Sequence, residues 1–300
     1  MKLVLGTRGS ELALAQARMA ELALRERCNA DVQIEVVRTS GDKGAREAGR
    51  KGVFTAELEY ALLDGRIDVA VHSAKDIPSE MQRGLTIAAV LPRAPVEDLL
   101  ITRQAASSGL RTVATGSVRR QHQLRFFRGL KYVADLRGNV PTRLRKFTAS
   151  DWDGIVLARA GLERLGFSPP RFEFEGQQFF AEILPMETFV PAGGQGIIAM
   201  QTREKDAAMI SAADENAVHC CLRAEREFLR LLGGDCGTPV GAHARWVNGE
   251  MELCVQLFAG DSEPTMACAR GTGSEQIAME AFNQIRPSAA AATLRREGQR

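Results

Sequence analysis

Between Arg103 and Arg145 the chain places nine arginines and one lysine against a single acid, Asp135, although its overall net charge is only +2. Most of the arginines fall in two phrases, TGSVRRQHQLR (115–125) and LRGNVPTRLRK (136–146), each following an apolar run that reads as a strand. The planar arginine fork matches carboxylate or phosphate oxygens in pairs. The imbalance points to a polyanionic ligand. A solvated basic face in an arginine-preferring chain is the plainer alternative, but arginines grouped at strand ends favour the ligand.

Two helix starts reinforce this. Ser10 with Arg8, and Ser117 with Arg119 and Arg120, each combine free backbone N–H groups, a hydroxyl and a guanidinium, which suits an anion for geometric and dipolar reasons. Taken singly, either serine could be a plain cap. With Arg137 and Arg143 at equivalent strand exits, they argue for a ligand cleft between two lobes. The chain has no Gly-x4-Gly-Lys-Ser/Thr and no Gly-x-Gly-x2-Gly after a strand, so carboxylates are the better choice of anion. The basic segment lacks interleaved exposed aromatics and a recognition-helix motif, which argues against nucleic acid.

Two further residues could do chemistry. Asp76, in VHSAKDIP (71–78), follows a buried strand and precedes a loop-shaping proline. Facing an arginine-rich cleft, it could stabilise a cationic intermediate or exchange protons; a surface ion pair with Lys75 is the alternative. Cys236 sits in GGDCGTPVG, a loop too glycine-rich for core packing, so its sulfur is expected to be exposed and nucleophilic. His219-Cys220-Cys221 resembles a metal site only superficially: neighbouring helical side chains diverge by about 100°, and no Cys-x-x-Cys or His-x3-His accompanies them.

The elements that must position these residues read as α/β layers over the first two hundred residues. A strand Val4–Thr7 leads into a helix capped by Ser10, with Leu12, Ala15, Met19 and Leu22 as its apolar stripe. A strand over 32–38, a polar glycine-rich loop (41–52) that reads as mobile, and a helix over 55–64 stopped by Gly65 follow. Strands are expected at 67–71 and 86–91. LPRAPVED marks a boundary near 92–97. A second unit has strands near 99–102, 111–115, 132–136 and 154–158, with helices starting near Ser117, Pro141 and Ala160. Residues 168–196 read as irregular, ending in PAGGQG as a return connection. From about Asn216 a charged helix, two strands around Asn248-Gly249, a third near 266–270 and a helix over 274–285 make a small α+β domain with a frayed tail.

Length and a 45% hydrophobic composition allow two or three domains. No apolar run approaches membrane-spanning length, and the N-terminus lacks a signal-peptide segment, so a reducing cytoplasm and six free thiols are expected.

VHSAKDIP, GSVRRQHQL (116–124), LRGNVPTRL (136–144), LARAGLERLG (157–166), PAGGQG (191–196) and the cysteine loop, in that order, resemble the porphobilinogen deaminase (hydroxymethylbilane synthase) family from Leu5 to about Leu257. Around the cysteine, Glu225-Arg226, Phe228, Leu232, Gly234, Thr238, Pro239, Val240 and Gly241 keep the family's spacing. The resemblance implies two periplasmic-binding-protein-like α/β domains, 1–95 with 196–212 and 96–195, plus a small C-terminal α+β domain, 213–300. It implies a cytoplasmic monomeric transferase of haem and chlorophyll-type tetrapyrrole biosynthesis that joins four porphobilinogen molecules head to tail with loss of ammonia. Water releases the linear product, which uroporphyrinogen-III synthase takes up.

By the same resemblance, Cys236 carries a dipyrromethane cofactor through a thioether, and Asp76 is catalytic. Ser73, Lys75, Thr115, Ser117, Arg119, Arg120 and Arg143 match cofactor-binding positions; Arg8, Ser10, Arg137, Arg143, Arg164, Lys51 and Gln195 match substrate-binding ones. No metal, nucleic acid or membrane is expected as a partner. Two residues depart from the pattern: Glu47 stands where a second loop lysine is common, and Asp235 precedes the cysteine where a small neutral residue is usual. The charge of Asp235 would raise the thiol pKa. A non-catalytic two-lobed carboxylate-binding protein would explain the lobes and arginines but has no need of Asp76, Cys236 or the third domain.

Overall fold

A computed structural model describes residues 1–37, 55–105, 109–233, 237–260 and 262–297, with side chains of the last helix as far as Arg286. The chain divides into two compact units, Met1–Ala94 with Gly194–Leu222, and Pro95–Gly193 with Arg223–Arg300. The fold is mixed α/β.

In the first unit, β1 (Lys2–Thr7) pairs in parallel with β2 (Asp31–Val36) and β3 (Val69–Ser73). Parallel neighbours need a crossover, which α1 (Glu11–Cys28) and α2 (Ala56–Leu63) provide. After its excursion the chain returns as β11 (Ile198–Arg203), which inserts antiparallel between β3 and β4 (Leu85–Val90), giving the order β2-β1-β3-β11-β4. Leu3, Leu5, Val69, Val71 and Met200 pack with Ala17, Ala20 and Leu24 of α1, while Leu58, Leu62, Ile67 and Ala70 form a separate apolar cluster. The stripe read for α1 is thus corrected: Met19 and Leu22 are exposed, and the buried face is Gln16, Ala17, Ala20 and Leu24. The buried face combines Ala17, Ala20 and Leu24 with Gln16, whose amide is held by Ser73 at the end of β3.

In the second unit, a six-stranded sheet has the order β7-β6-β8-β5-β10-β9, built from β5 (Asp98–Thr102), β6 (Thr112–Ala114), β7 (Tyr132–Ala134), β8 (Gly154–Ala158), β9 (Arg171–Phe174) and β10 (Gln177–Ile183). Helices α3 (Val118–Arg128), α4 (Val140–Thr148) and α5 (Arg159–Glu163) follow β6, β7 and β8. The irregular reading of 168–196 is overturned over β9 and β10. Glu175 and Gly176, at φ 49° and 78°, make the tight turn of a hairpin whose Phe172, Phe174 and Phe179 enter the core.

Helix α6 (Asn216–Leu231) leads to a three-stranded antiparallel sheet of β12 (Val240–Val247), β13 (Glu250–Leu257) and β14 (Thr265–Gly271), followed by α7 (Ser274–Glu297). The expected frayed tail is helical to Glu297. The expectation of six free thiols is also overturned: Cys254 and Cys268, directly opposite each other on β13 and β14, are bonded as a disulfide. Register alone brings these sulfurs together, which sequence spacing did not reveal. Cys28, Cys220 and Cys221 are not in disulfides, and Cys236 lies outside the described residues.

Candidate functional site

The apolar strand β3 delivers Ser73 and then a 3₁₀ turn, Ala74–Asp76, closed by the Ile77 N–H donating to the Ala74 carbonyl at 3.2 Å. Asp76 is exposed at the end of this turn and, among the described residues, is bonded to no side chain. Its neighbours are held firmly. Ser73 Oγ lies 2.8 Å from Gln16 Nε2 of α1, and the Lys75 ammonium donates to Gln195 Oε1 at 3.4 Å. The Ala74 N–H donates to the Ile197 carbonyl at 3.0 Å. Gly194, at φ +77°, lies so close that a Cβ there would fall 2.8 Å from the Lys75 nitrogen and 2.9 Å from the Ala74 carbonyl carbon. Only glycine permits this approach.

Upstream on β3, His72 is buried and its Nε2 is 3.1 Å from Gln201 Oε1. Gln201 Nε2 donates to the Glu59 carboxylate at 3.1 Å, which fixes the amide orientation and therefore places the imidazole proton on Nε2. Burial pulls the His72 pKa down to about 4; the Gln201 bond opposes this and the nearby Arg8 charge assists it. Ser10 acts as the cap of α1, accepting from the Ala13 N–H at 3.3 Å, and Arg8 lies in the loop just before it.

The second unit carries the arginine phrases. Arg119 and Arg120, on the first turn of α3, are buried and converge on one carboxylate: Asp98 accepts from Arg119 Nη2 at 2.8 Å and from Arg120 Nη2 at 2.7 Å. Arg119 Nη1 continues to Gln123 Oε1 at 2.8 Å and to the Val190 carbonyl at 2.9 Å. Desolvation lowers the Arg119 pKa against the pull of Asp98. Both guanidinium Nε atoms are buried without a hydrogen-bond partner among the described residues. Thr115 is buried and its Oγ1 accepts from the Ser117 N–H at 3.3 Å, whereas the Ser117 hydroxyl makes no cap bond, unlike that of Ser10. At α4 the cap is Asn139, which accepts from the Thr142 N–H at 2.9 Å. Arg143 Nε donates to the Gly138 carbonyl at 2.7 Å, and exposed Arg137 bonds Asp135 at 3.0 Å. Arg164 closes α5, half-buried, and burial lowers its pKa to about 10.

The first unit thus holds Arg8, Ser10, Ser73, Lys75, Asp76 and Gln195, and bonds Lys75 to Gln195 directly. The second holds Thr115, Ser117, Arg119, Arg120, Arg137, Arg143 and Arg164, of which the α3 pair share Asp98. Lys51 and Cys236, together with Glu47, Asp235 and the loop read over 41–52, lie outside the described residues. Sequence reasoning missed Asp98, Gln16 and Gln123. Asp98 left a signal, as an acid opening an otherwise apolar strand; the two glutamines left none.

Two guanidinia on one carboxylate leave one net positive charge, and their Nε donors have no partner among the described residues, which suits an anion such as a carboxylate. No group of three or more potential metal ligands occurs among the described residues. No helix of the described residues is long and apolar enough to cross a membrane.

Residues 3–211 match the family model described as "Porphobilinogen deaminase, dipyromethane cofactor binding domain", and residues 219–284 match "Porphobilinogen deaminase, C-terminal domain". The porphobilinogen deaminase of Roseiflexus sp. (strain RS-1) is 38% identical over 290 residues, covering 92% of each chain. Those of Syntrophomonas wolfei and Nitrobacter hamburgensis are 41% and 42% identical, over 83% and 82% of this chain and 82% and 79% of theirs. Among solved structures, a periplasmic substrate-binding protein of an ABC transporter from Coxiella burnetii aligns with TM-score 0.44 at 14% identity, over 70% of this chain and 91% of that one. The VFT2 domain of Bordetella pertussis BvgS aligns with TM-score 0.43 at 16% identity, over 71% and 85%.

Proposed function

Since this chain belongs to the porphobilinogen deaminase family, we propose that Asp76 is its catalytic carboxylate and Cys236 the attachment point of its dipyrromethane cofactor. The chain is a transferase of tetrapyrrole biosynthesis with hydroxymethylbilane synthase activity, condensing four porphobilinogen molecules head to tail with loss of ammonia. Its cofactor is dipyrromethane. Bound, that group supplies the pyrrole carbon to which the first substrate is joined.

Each pyrrole of cofactor and substrate bears an acetate and a propionate, so the ligands are rich in carboxylates. The donor set around Arg119 and Arg120 fits them, with Thr115, Ser117 and Arg143 as further cofactor donors and Ser73 and Lys75 on the side of Asp76. Arg8, Ser10, Arg137, Arg143, Arg164, Lys51 and Gln195 hold substrate carboxylates. Each charge-assisted bond contributes roughly 1.5–3 kcal/mol, so several together retain a growing chain without release. Asp76 stabilises the cation formed on porphobilinogen when ammonia departs, accepting from the pyrrole N–H while the positive charge is delocalised through the ring. Its exposure without a side-chain partner among the described residues, within a tightly bonded turn, is the observation that carries this assignment.

The proposal extends to three domains, 1–95 with 196–212, 96–195 and 213–300, and to a cytoplasmic monomer whose product passes to uroporphyrinogen-III synthase. The test is the denatured intact mass of the purified protein. A gain of two linked pyrrole units on the Cys236 peptide, absent in Cys236→Ser, supports the attachment; an unmodified mass that persists after incubation with porphobilinogen overturns it.

A further inference from the structure

The face of the C-terminal sheet turned away from α7 carries a cysteine pair that the condensation chemistry does not use. On β13 and β14 the residues on the face away from α7 form cross-strand rows: buried Glu252 opposite Arg270, Cys254 opposite Cys268, and buried Gln256 opposite Met266. The Cα atoms of Cys254 and Cys268 are 4.2 Å apart, close to the separation of a directly opposed antiparallel pair without mutual backbone bonds. The sheet needs no covalent link to hold this register. Leu253, Val255, Ala267 and Ala269 are buried on its other face, where α7 packs against both strands. A dithiol therefore fits the same backbone as the disulfide.

Cys268 is exposed, so a small reagent can reach its sulfur. Arg245 and Arg270 both bond Glu252, at 2.8 Å from Arg245 Nη2 and 2.8 Å from Arg270 Nε, leaving one net positive charge in the adjoining row. That charge attracts an anionic reagent. The row on the other side reaches the arginine cluster. Gln256 Nε2 donates to the Thr188 carbonyl at 3.0 Å, Gln256 Oε1 accepts from Gln123 at 2.7 Å, and Gln123 accepts from Arg119.

We propose that Cys254 and Cys268 form a reversible thiol–disulfide site for small anionic disulfides of the glutathione class, which locks β14 to β13 under oxidising conditions. The Cys268 thiolate attacks one sulfur of the small disulfide and releases one small thiol. The Cys254 thiolate then attacks Cys268 Sγ in the mixed disulfide and releases the second. The two protein thiols are oxidised, the small disulfide is reduced to two thiols, and the two protein protons leave on those thiols.

The experiment uses the full-length, cofactor-loaded protein, fully reduced and then incubated with oxidised glutathione, with reduced glutathione added afterwards. Peptide mass mapping should find a Cys254–Cys268 link that reopens on reduction, and a melting temperature roughly 5 °C higher in the linked form. Cys254→Ser should instead retain a glutathione adduct on Cys268, and neither Cys254→Ser nor Cys268→Ser should show the melting shift. The proposal is overturned if the pair stays reduced, if the oxidation maps to Cys28, Cys220 or Cys221, or if excess reduced glutathione leaves the link closed.

Discussion

Asp76 is one residue from a lysine, yet Lys75 turns its ammonium to Gln195 and leaves the carboxylate to the solvent. A carboxylate placed to meet a developing cation contributes mainly in the transition state, so Asp76→Asn should lower kcat by roughly 10²–10³-fold with KM little changed. Steady-state kinetics on the cofactor-loaded variant check this; an unchanged kcat removes Asp76 from the chemistry. Asp98 plays the opposite part, since it is wholly buried between two guanidinia. Its replacement by alanine strands both charges and should cost about 3–5 kcal/mol in denaturant unfolding. His72 gives a pH signature. Its folded pKa of about 4 lies below the ordinary value of 6.5, so unfolding takes up a proton between those limits. Stability from this residue is complete above about pH 6.5 and falls as pH drops towards 4, by about 1 kcal/mol per pH unit. Urea titrations across that window should show a shallower fall for His72→Gln than for the parent. At this scale the sequence exposed the residues of distinctive chemistry, Asp76 and the arginines, but not their partners. Gln16, Gln123 and Gln201 matter only because folding sets them beside Ser73, Arg119 and His72, and a glutamine alone carries no trace of that.

The elements explain why the turn bearing Asp76 can be rigid and still open to ligand. Strand β11 runs antiparallel to β3, Ile198 opposite Ser73, so the PAGGQG segment just before β11 must pass beside the residues just after β3. Gly194 is where the two backbones meet. Gly194→Ala would combine a positive φ with a Cβ pressed on the Lys75 nitrogen, and neither backbone can yield cheaply. We expect a loss of about 1–3 kcal/mol in stability and a lowered kcat through displacement of Asp76. Chemical denaturation and turnover measured together on this variant check both; a stability loss with parental kcat shows that the turn tolerates the shift. The strand–helix alternation up to β8 was legible because β-branched runs and amphipathic periods differ in spacing. The β9–β10 hairpin was not, because nearby prolines masked a phenylalanine alternation. In α1, two apolar stripes competed, and the one that is buried carries Gln16, a polar residue that an apolar count passes over.

Across the whole molecule, a net charge of +2 conceals a strongly uneven distribution. The stretch from Arg103 to Arg145 holds ten cations and one acid, so the other residues together are net negative. A nearly neutral chain has little long-range attraction for a dicarboxylate substrate at moderate salt; attraction must come from the local field of this stretch, which salt screens over about 10 Å at 0.1 M. Its members divide by burial. Arg119 and Arg120 are enclosed with Asp98 and little screened, whereas Arg137 and its partner Asp135 are exposed. Substrate capture through exposed arginines should therefore weaken with ionic strength, while the contacts of the buried ones with cofactor carboxylates should persist. Raising salt from about 0.05 to 0.5 M should increase KM for porphobilinogen several-fold, with kcat and loaded mass unchanged. Arg137→Gln should start from a higher KM and show a smaller salt response. A KM indifferent to salt would mean that the exposed arginines take no part in capture, and that the excess read first in the sequence serves the buried cluster alone.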